Sequence, residues 1–366
     1  MACVLTSHTS VSNCFYWQEW PVRIPGHGME ANHKPQTTNQ MIDKILSRPE
    51  FQTEPPVLVD IGASGQLHGR WKAFAKYAVC IAFDADDRDF GYVESESGHF
   101  RKLYTFNNIV TGPTSDEDEN TGLGHADFYL TVSPHCSSLL RPRPDLIQEY
   151  AFAPKFEPTK VVQLKTRSLR STLDSLNIKQ VDWFKTDSQG TDLRLFRNLG
   201  EARAKQVLTA EFEPGIASIY DGEDKLYQVL QFMEATGSHW LAELIPKGSP
   251  RITPALLDSF TSQPLVKKFV LFSLKNSAVW GEMTYLNRFA DETTLTQRNL
   301  LLGWVFATTL KQHGFALILT QKAKNISTDP IFAEMEAYSR RRIWGRVFGL
   351  GFWPEVVKKF DKLLGR

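Results

Sequence analysis

The sequence predicts an α/β protein built on a doubly wound, mostly parallel sheet, with an antiparallel closing strand and helical additions at its N- and C-terminal ends. Three observations predict it. Short apolar runs alternate with segments of helical periodicity from residue 57 to about residue 240. The first run, Val57-Leu-Val-Asp-Ile61, feeds Gly62 and Gly65, where missing Cβ atoms let the backbone turn sharply and approach a ligand. Carboxylates stand near the ends of predicted strands at Asp60, Asp84, Asp187 and Glu211, on the rim where such sheets bind ligands.

At 366 residues and 42% apolar content, the chain has ample material for a buried core and for two to three domains. Residues 1–50 read as an N-terminal extension, 51–290 as the core domain and 291–366 as a C-terminal helical region. A net charge of +1 gives no electrostatic footprint for nucleic acid. The cysteines (Cys3, Cys14, Cys80, Cys136) are scattered, which suits a reducing compartment. With His27 and His33, the first two fit no usual zinc spacing, so no metal is expected. The opening residues have neither a basic region nor a long apolar run, and no stretch reaches the length of a membrane span. A cytoplasmic protein is expected.

Taken in order, Gln40–Leu46 begins a lead-in helix, and the pair Pro55-Pro56 opens the first strand. Trp71, Phe74, Ala75 and Ala78 fall at helical spacing after the glycine turn. Val79–Phe83 is the second strand, ending in Asp84 about twenty residues past the turn, a position suited to ribose hydroxyls. Phe100–Val110 holds a third strand, and Ser115–Asn120 is a solvated acidic loop. Ala126–Ser133 is strand-like and leads into a turn-prone stretch with His135. Ser168 caps a helix carrying Leu169, Leu173 and Leu176. Val181–Asp187 and Val207–Glu213 are strands ending in carboxylates, separated by a helix with Leu193, Phe196 and Leu199 inward. Leu226–Thr236 is a helix that Gly237 stops. Phe269–Leu274 and Ala278–Leu286 read as an antiparallel pair turning around Lys275-Asn276, followed by a long helical segment from Leu295 to Leu310. From Arg340 to Arg366 the chain carries eight Lys/Arg against two acids, and Pro354–Leu364 forms an apolar stripe. A cationic amphipathic helix of this kind either lies on an anionic membrane or packs on a protein neighbour.

Several stretches together resemble the FkbM family of methyltransferases. Asp60-Ile-Gly62-Ala-Ser-Gly65 looks like the first motif of S-adenosylmethionine-dependent methyltransferases, whereas the nicotinamide fingerprint Gly-x-Gly-x-x-Gly is absent because Gly69 is out of register. The resemblance continues through Phe83-Asp84, Phe128–Thr131 with Cys136–Leu140, Thr172–Asp174, Asp182–Gly190, Ala210–Glu213 and Gly281–Arg288. The Lys185–Gly190 segment is its most specific piece. The family usually has Asn at Ser64 and Glu-Pro at Asp84-Ala85, and the first 50 and last 75 or so residues lie outside the likeness.

The resemblance implies a class I methyltransferase fold and O-methylation of a hydroxyl on a glycan or glycosylated metabolite, with S-adenosyl-L-methionine as cofactor. It implies that Asp60, Gly62, Ala63, Ser64, Gly65 and Asp84 bind that cofactor, and that Asp187 acts as general base or orients the acceptor. Asp187 equally suits a carboxylate capping the next helix, and His135 is the second candidate base. Gln189 and Glu211 are the candidate acceptor-binding residues, Glu211 having pairing with Lys185 as its alternative. The acceptor is a small molecule or glycan, lipid-linked where 340–366 touches membrane; homo-oligomerisation stays open. Two rivals remain at this point: a nucleotide-dependent oxidoreductase or sugar-modifying enzyme on a similar sheet, and a binding module without chemistry.

Overall fold

The computed structural model describes residues 36–63, 68–86, 97–111 and 123–347. Its strands are β1 (Val57–Ile61), β2 (Val79–Phe83), β3 (Lys102–Phe106), β4 (Ile109–Thr111), β5 (Leu123–Thr131), β6 (Pro158–Ser168), β7 (Trp183–Thr186), β8 (Thr209–Phe212), β9 (His239–Pro250) and β10 (Asn276–Asn287). Seven form one sheet in the order β3-β2-β1-β7-β8-β10-β9. The pairs from β3 through β8 are parallel, and β10 runs antiparallel to both β8 and β9. The sheet is therefore mixed and mostly parallel, with one reversed strand, and its order turns about at β1.

The apolar runs are continuous because both faces of the sheet are covered. Leu58, Cys80 and Trp183 pack on one face with the helices Thr38–Leu46, Gln297–Thr309, His313–Lys324 and Ile331–Val347. Their sequence neighbours Val59, Ile81 and Phe184 pack on the other with the helices Leu169–Ser175, Asp192–Asn198 and Leu226–Thr236. Period-two alternation thus sends successive side chains into two different cores. The first helix starts at a capping box, Thr37 and Gln40 satisfying each other's backbone N–H groups. Gly237 ends Leu226–Thr236 in the left-handed conformation, φ +63°.

The C-terminal helices are fastened to the sheet by a buried ion pair. Both Nη atoms of Arg298 donate to Asp182 at 2.8 Å, and Asp182 also accepts the Val57 N–H at 2.8 Å. One carboxylate therefore joins the start of β1, the approach to β7 and the helix beginning at Gln297.

Three expectations change. Strand-like Ala126–Ser133 does not enter the main sheet: β5 pairs antiparallel with β6, β6 pairs parallel with β4, and these three make a separate sheet. Phe269–Leu274 is not the partner of the closing strand, because Pro264–Ser273 is a helix opened by its proline at the first turn. The partner is β9, a strand that the sequence signals weakly since it carries Pro246, Gly248 and Pro250. Finally, Trp71, Phe74, Ala75 and Ala78 are all buried, but Trp71 and Ala75 stand on two short 3₁₀ turns, Gly69–Trp71 and Ala75–Tyr77, and Phe74 and Ala78 flank the second, so no single helix carries them. Spacing of three or four residues puts side chains on one side of either helix type. Ser64, Gly65, residues 1–35, the acidic loop 115–120 and the stripe 354–364 lie outside the described residues.

Candidate functional site

The site lies beyond the carboxyl ends of β1, β2 and β7. Pairing continues past the strands there: Gly62 N–H donates to the Phe83 carbonyl at 3.0 Å, and Asp187 N–H donates to the Ile61 carbonyl at 2.9 Å. Gly62 has φ +76°, and a Cβ added to it would sit 2.2 Å from the Asp187 carbonyl oxygen. A glycine is required here on both counts. It brings the backbone of Asp187 hard against the turn after β1.

A cleft is lined by Gly62, Phe83, Asp84, Val110, Phe128 and Asp187 among others. Asp84 stands at the tip of β2, and its Oδ1 accepts the Asp86 N–H at 2.9 Å, which fixes the carboxylate at the cleft edge. Apolar side chains from β2, β4 and β5 complete the wall. The second sheet accordingly closes the side of the cleft.

A larger cavity of about 490 Å³ adjoins it, in the size range of small-molecule sites. Phe152, Phe156, Tyr220 and Trp280 give it an aromatic wall, with Lys155 and Glu213 as charged members. His135, Asp187 and Gln189 line both spaces. They stand at the junction of the two spaces.

The junction is rigidly held. Gln189 is forced into a left-handed backbone conformation, φ +56°, which is costly for a residue with a side chain. Ser138 Oγ donates to its carbonyl at 2.7 Å, and the Tyr220 hydroxyl lies 2.8 Å from its Oε1. Its Nε2 in turn donates to Asp187 Oδ1 at 2.6 Å. Burial raises the pKa of Asp187, against the opposing pull of Lys185 and the Gln189 hydrogen bond. Burial also pushes the Cys136 thiol up to about 11, so it is a neutral wall residue and not a nucleophile.

Two carboxylates that were not among the candidate site residues, Asp192 and the strand-end Glu213, shape this region. Asp192 Oδ1 accepts from Ser188 N–H at 3.0 Å and Thr186 Oγ1 at 3.1 Å, while its Oδ2 accepts the Glu213 N–H at 2.6 Å. It ties the exit of β7 to the exit of β8; burial raises its pKa to about 6. Glu213 is pushed up to about 9, by burial first and then by the carboxylates of Asp187 and Asp192. Its side chain makes no hydrogen bond among the described residues, and it faces the cavity. The run Glu213-Pro214-Gly215 was the available signal, a carboxylate followed at once by strand breakers at a parallel strand's end.

The remaining expected residues stand elsewhere. Asp60, Lys185 and Glu211 are register partners on neighbouring strands, forming a carboxylate–ammonium–carboxylate row across the sheet. Lys185 Nζ donates to Asp60 Oδ1 at 2.8 Å. Glu211 is held by Arg70 and by Trp183 Nε1 at 3.1 Å. Burial alone would raise its pKa, but His68 and Arg70 outweigh it and keep Glu211 below its ordinary value. Neither Asp60 nor Glu211 lines the cleft or the cavity. Ala63 is buried in the core beside the turn. Glu211's alternative partner, Lys185, is taken by Asp60, and the arginine on the 3₁₀ turn takes its place.

No family model matches the chain, and no curated protein matches it either.

Proposed function

We propose that the protein is an S-adenosylmethionine-dependent O-methyltransferase of the FkbM kind, acting on a hydroxyl of a glycan or glycosylated metabolite. One observation carries this reading: Asp187, His135 and Gln189 are shared by the cleft and the larger cavity, so a donor and an acceptor site meet at a candidate base. The order of the seven strands, with its reversed strand beside the edge, and a glycine turn followed by a carboxylate at the tip of the next strand support it.

The cleft's residues fit the cofactor. Gly62 lines the cleft with backbone alone, and Asp84 offers a carboxylate for ribose hydroxyls as charge-assisted hydrogen bonds. When bound, S-adenosylmethionine supplies an electrophilic methyl group on a sulfonium. The chain's contribution is to hold an acceptor oxygen in line and to take its proton. Asp187 performs the second task, its raised pKa making it a stronger base than a solvated aspartate. Gln189 fixes the orientation of that carboxylate, and His135, which lines the same two spaces, is the second proton acceptor. Glu213, protonated at neutral pH, donates a hydrogen bond to an acceptor oxygen in the cavity, the role that Glu211 is too far committed to fill. The aromatic wall suits the apolar faces of a sugar ring or an aglycone.

A thermal-shift panel tests the cofactor. S-adenosylmethionine and its demethylated product should raise the melting temperature, with NAD and nucleotide sugars inert. Stabilisation by NAD or a nucleotide sugar alone would overturn the reading.

A further inference from the structure

We propose that the helical hairpin formed by Pro254–Phe260 and Pro264–Ser273 seats the protein on an anionic lipid surface. The hairpin is inserted between β9, the edge strand, and β10, so it projects from one margin of the sheet. It exposes Leu256, Phe260, Leu265, Val266, Phe269 and Phe272, and Leu274 continues the patch. Phe272 is 92% exposed, Phe269 73% and Leu265 69%, although residues of these types are normally buried. Those three recur at i, i+4 and i+7 on one stripe. Isolated exposed apolar residues need no explanation; a contiguous aromatic stripe does.

Charge identifies the occupant. Between residues 254 and 275 the only acid is Asp258, which is paired with Lys267. Lys268 and Lys275 make no ion pair among the described residues, so the hairpin carries a cationic surplus beside its apolar stripe. That combination matches an interfacial helix on anionic lipid. A second copy of the chain fits worse, because a self-complementary contact would bring together two hairpins that each carry a cationic surplus, with their one acid already paired to Lys267. The other side of the same helix puts Leu271 into the wall of the 490 Å³ cavity, so the cavity lies directly behind the seated face. An amphipathic acceptor held in the bilayer thereby has a short path inward. That consequence rests on the methyl-transfer reading, whereas the seating does not.

Co-sedimentation of the full chain with phosphatidylcholine vesicles, with and without phosphatidylserine, tests the seating independently of any catalysis. Binding should be stronger to the anionic vesicles. The variant Phe269→Glu/Phe272→Glu should partition at least about tenfold less, with an unchanged melting temperature because both side chains are exposed. The variant Lys268→Glu/Lys275→Glu should lose the preference for phosphatidylserine. Absence of binding by the wild type, or equal binding by the phenylalanine variant, would overturn the proposal. So would a concentration-dependent dimer, seen in analytical ultracentrifugation, that the phenylalanine variant abolishes; the face would then belong to a second copy.

Discussion

Asp187 occupies its place because of three unlike residues: Gly62 admits its backbone, Gln189 accepts a strained conformation to hydrogen-bond it, and Lys185 opposes the cost of its burial. Asp187→Asn keeps an oxygen for Gln189 but removes the carboxylate proposed as base. It should lower kcat by about 10²–10⁴ while leaving cofactor affinity, measured by calorimetry, within a few-fold. Gly62→Ala should do the reverse of a selective lesion. With φ +76° and a carbonyl oxygen 2.2 Å from the new Cβ, it should cost more than about 1 kcal/mol of stability in urea unfolding and weaken cofactor binding together. Glu213 makes a pH prediction. Its proton is held more tightly in the folded state, near pH 9, than at its ordinary value of 4.5, so folding takes up a proton between those values. Stability therefore declines as pH rises through that window, and Asp192 adds to the decline over its own shift from 3.8 to about 6. Glu213→Gln should flatten the fall in melting temperature between pH 5 and pH 9; an unchanged slope would mean that Glu213 is ionised like a surface carboxylate. At this scale the sequence was partly legible. Asp84, Asp187, Gln189 and His135 could be picked out because strand ends expose their residues to the cleft. Asp60 and Glu211 could not be separated from them, since strand parity is set by register with Lys185, a long-range property.

Elements with strong local signals form where the residues predict them, and those that depend on distant partners do not. Leu226–Thr236 ends at its glycine, and Leu169–Ser175 begins after Ser168, whose Oγ accepts the Ser171 N–H. The stretch Phe269–Leu274 is apolar enough for a strand, but Pro264 at the head of a helix decides otherwise. β9 was missed because its alternation is interrupted by prolines and only three of its twelve residues are buried, so the ladder with β10 holds it rather than its own propensity. The junction between elements is also testable. Arg298→Met would leave Asp182 buried without its cation, at a cost of about 3–5 kcal/mol, read as a lower midpoint in guanidinium unfolding. A loss near zero would mean that the C-terminal helices are held by apolar packing alone.

At the scale of the molecule, alternation of strand and helix was enough to foresee a mostly parallel sheet covered on both faces, as it is. The small sheet of β4, β5 and β6 was not foreseeable, because the pairing that separates it from the main sheet is set by partners far apart in the chain. With the main sheet it encloses the cleft, supplying Val110 and Phe128 to the wall. Among the described residues no helix is long and apolar enough to cross a membrane. Methyl transfer at this cleft requires that S-adenosylmethionine bind there through Asp84, which calorimetric titration of the demethylated cofactor into the wild type and into Asp84→Ala would measure. Saturable binding by the wild type is expected, weakened in the variant by about 1.5–3 kcal/mol, the contribution of a hydrogen bond to a charged group. No heat with the wild type, or equal affinity in the variant, would contradict it.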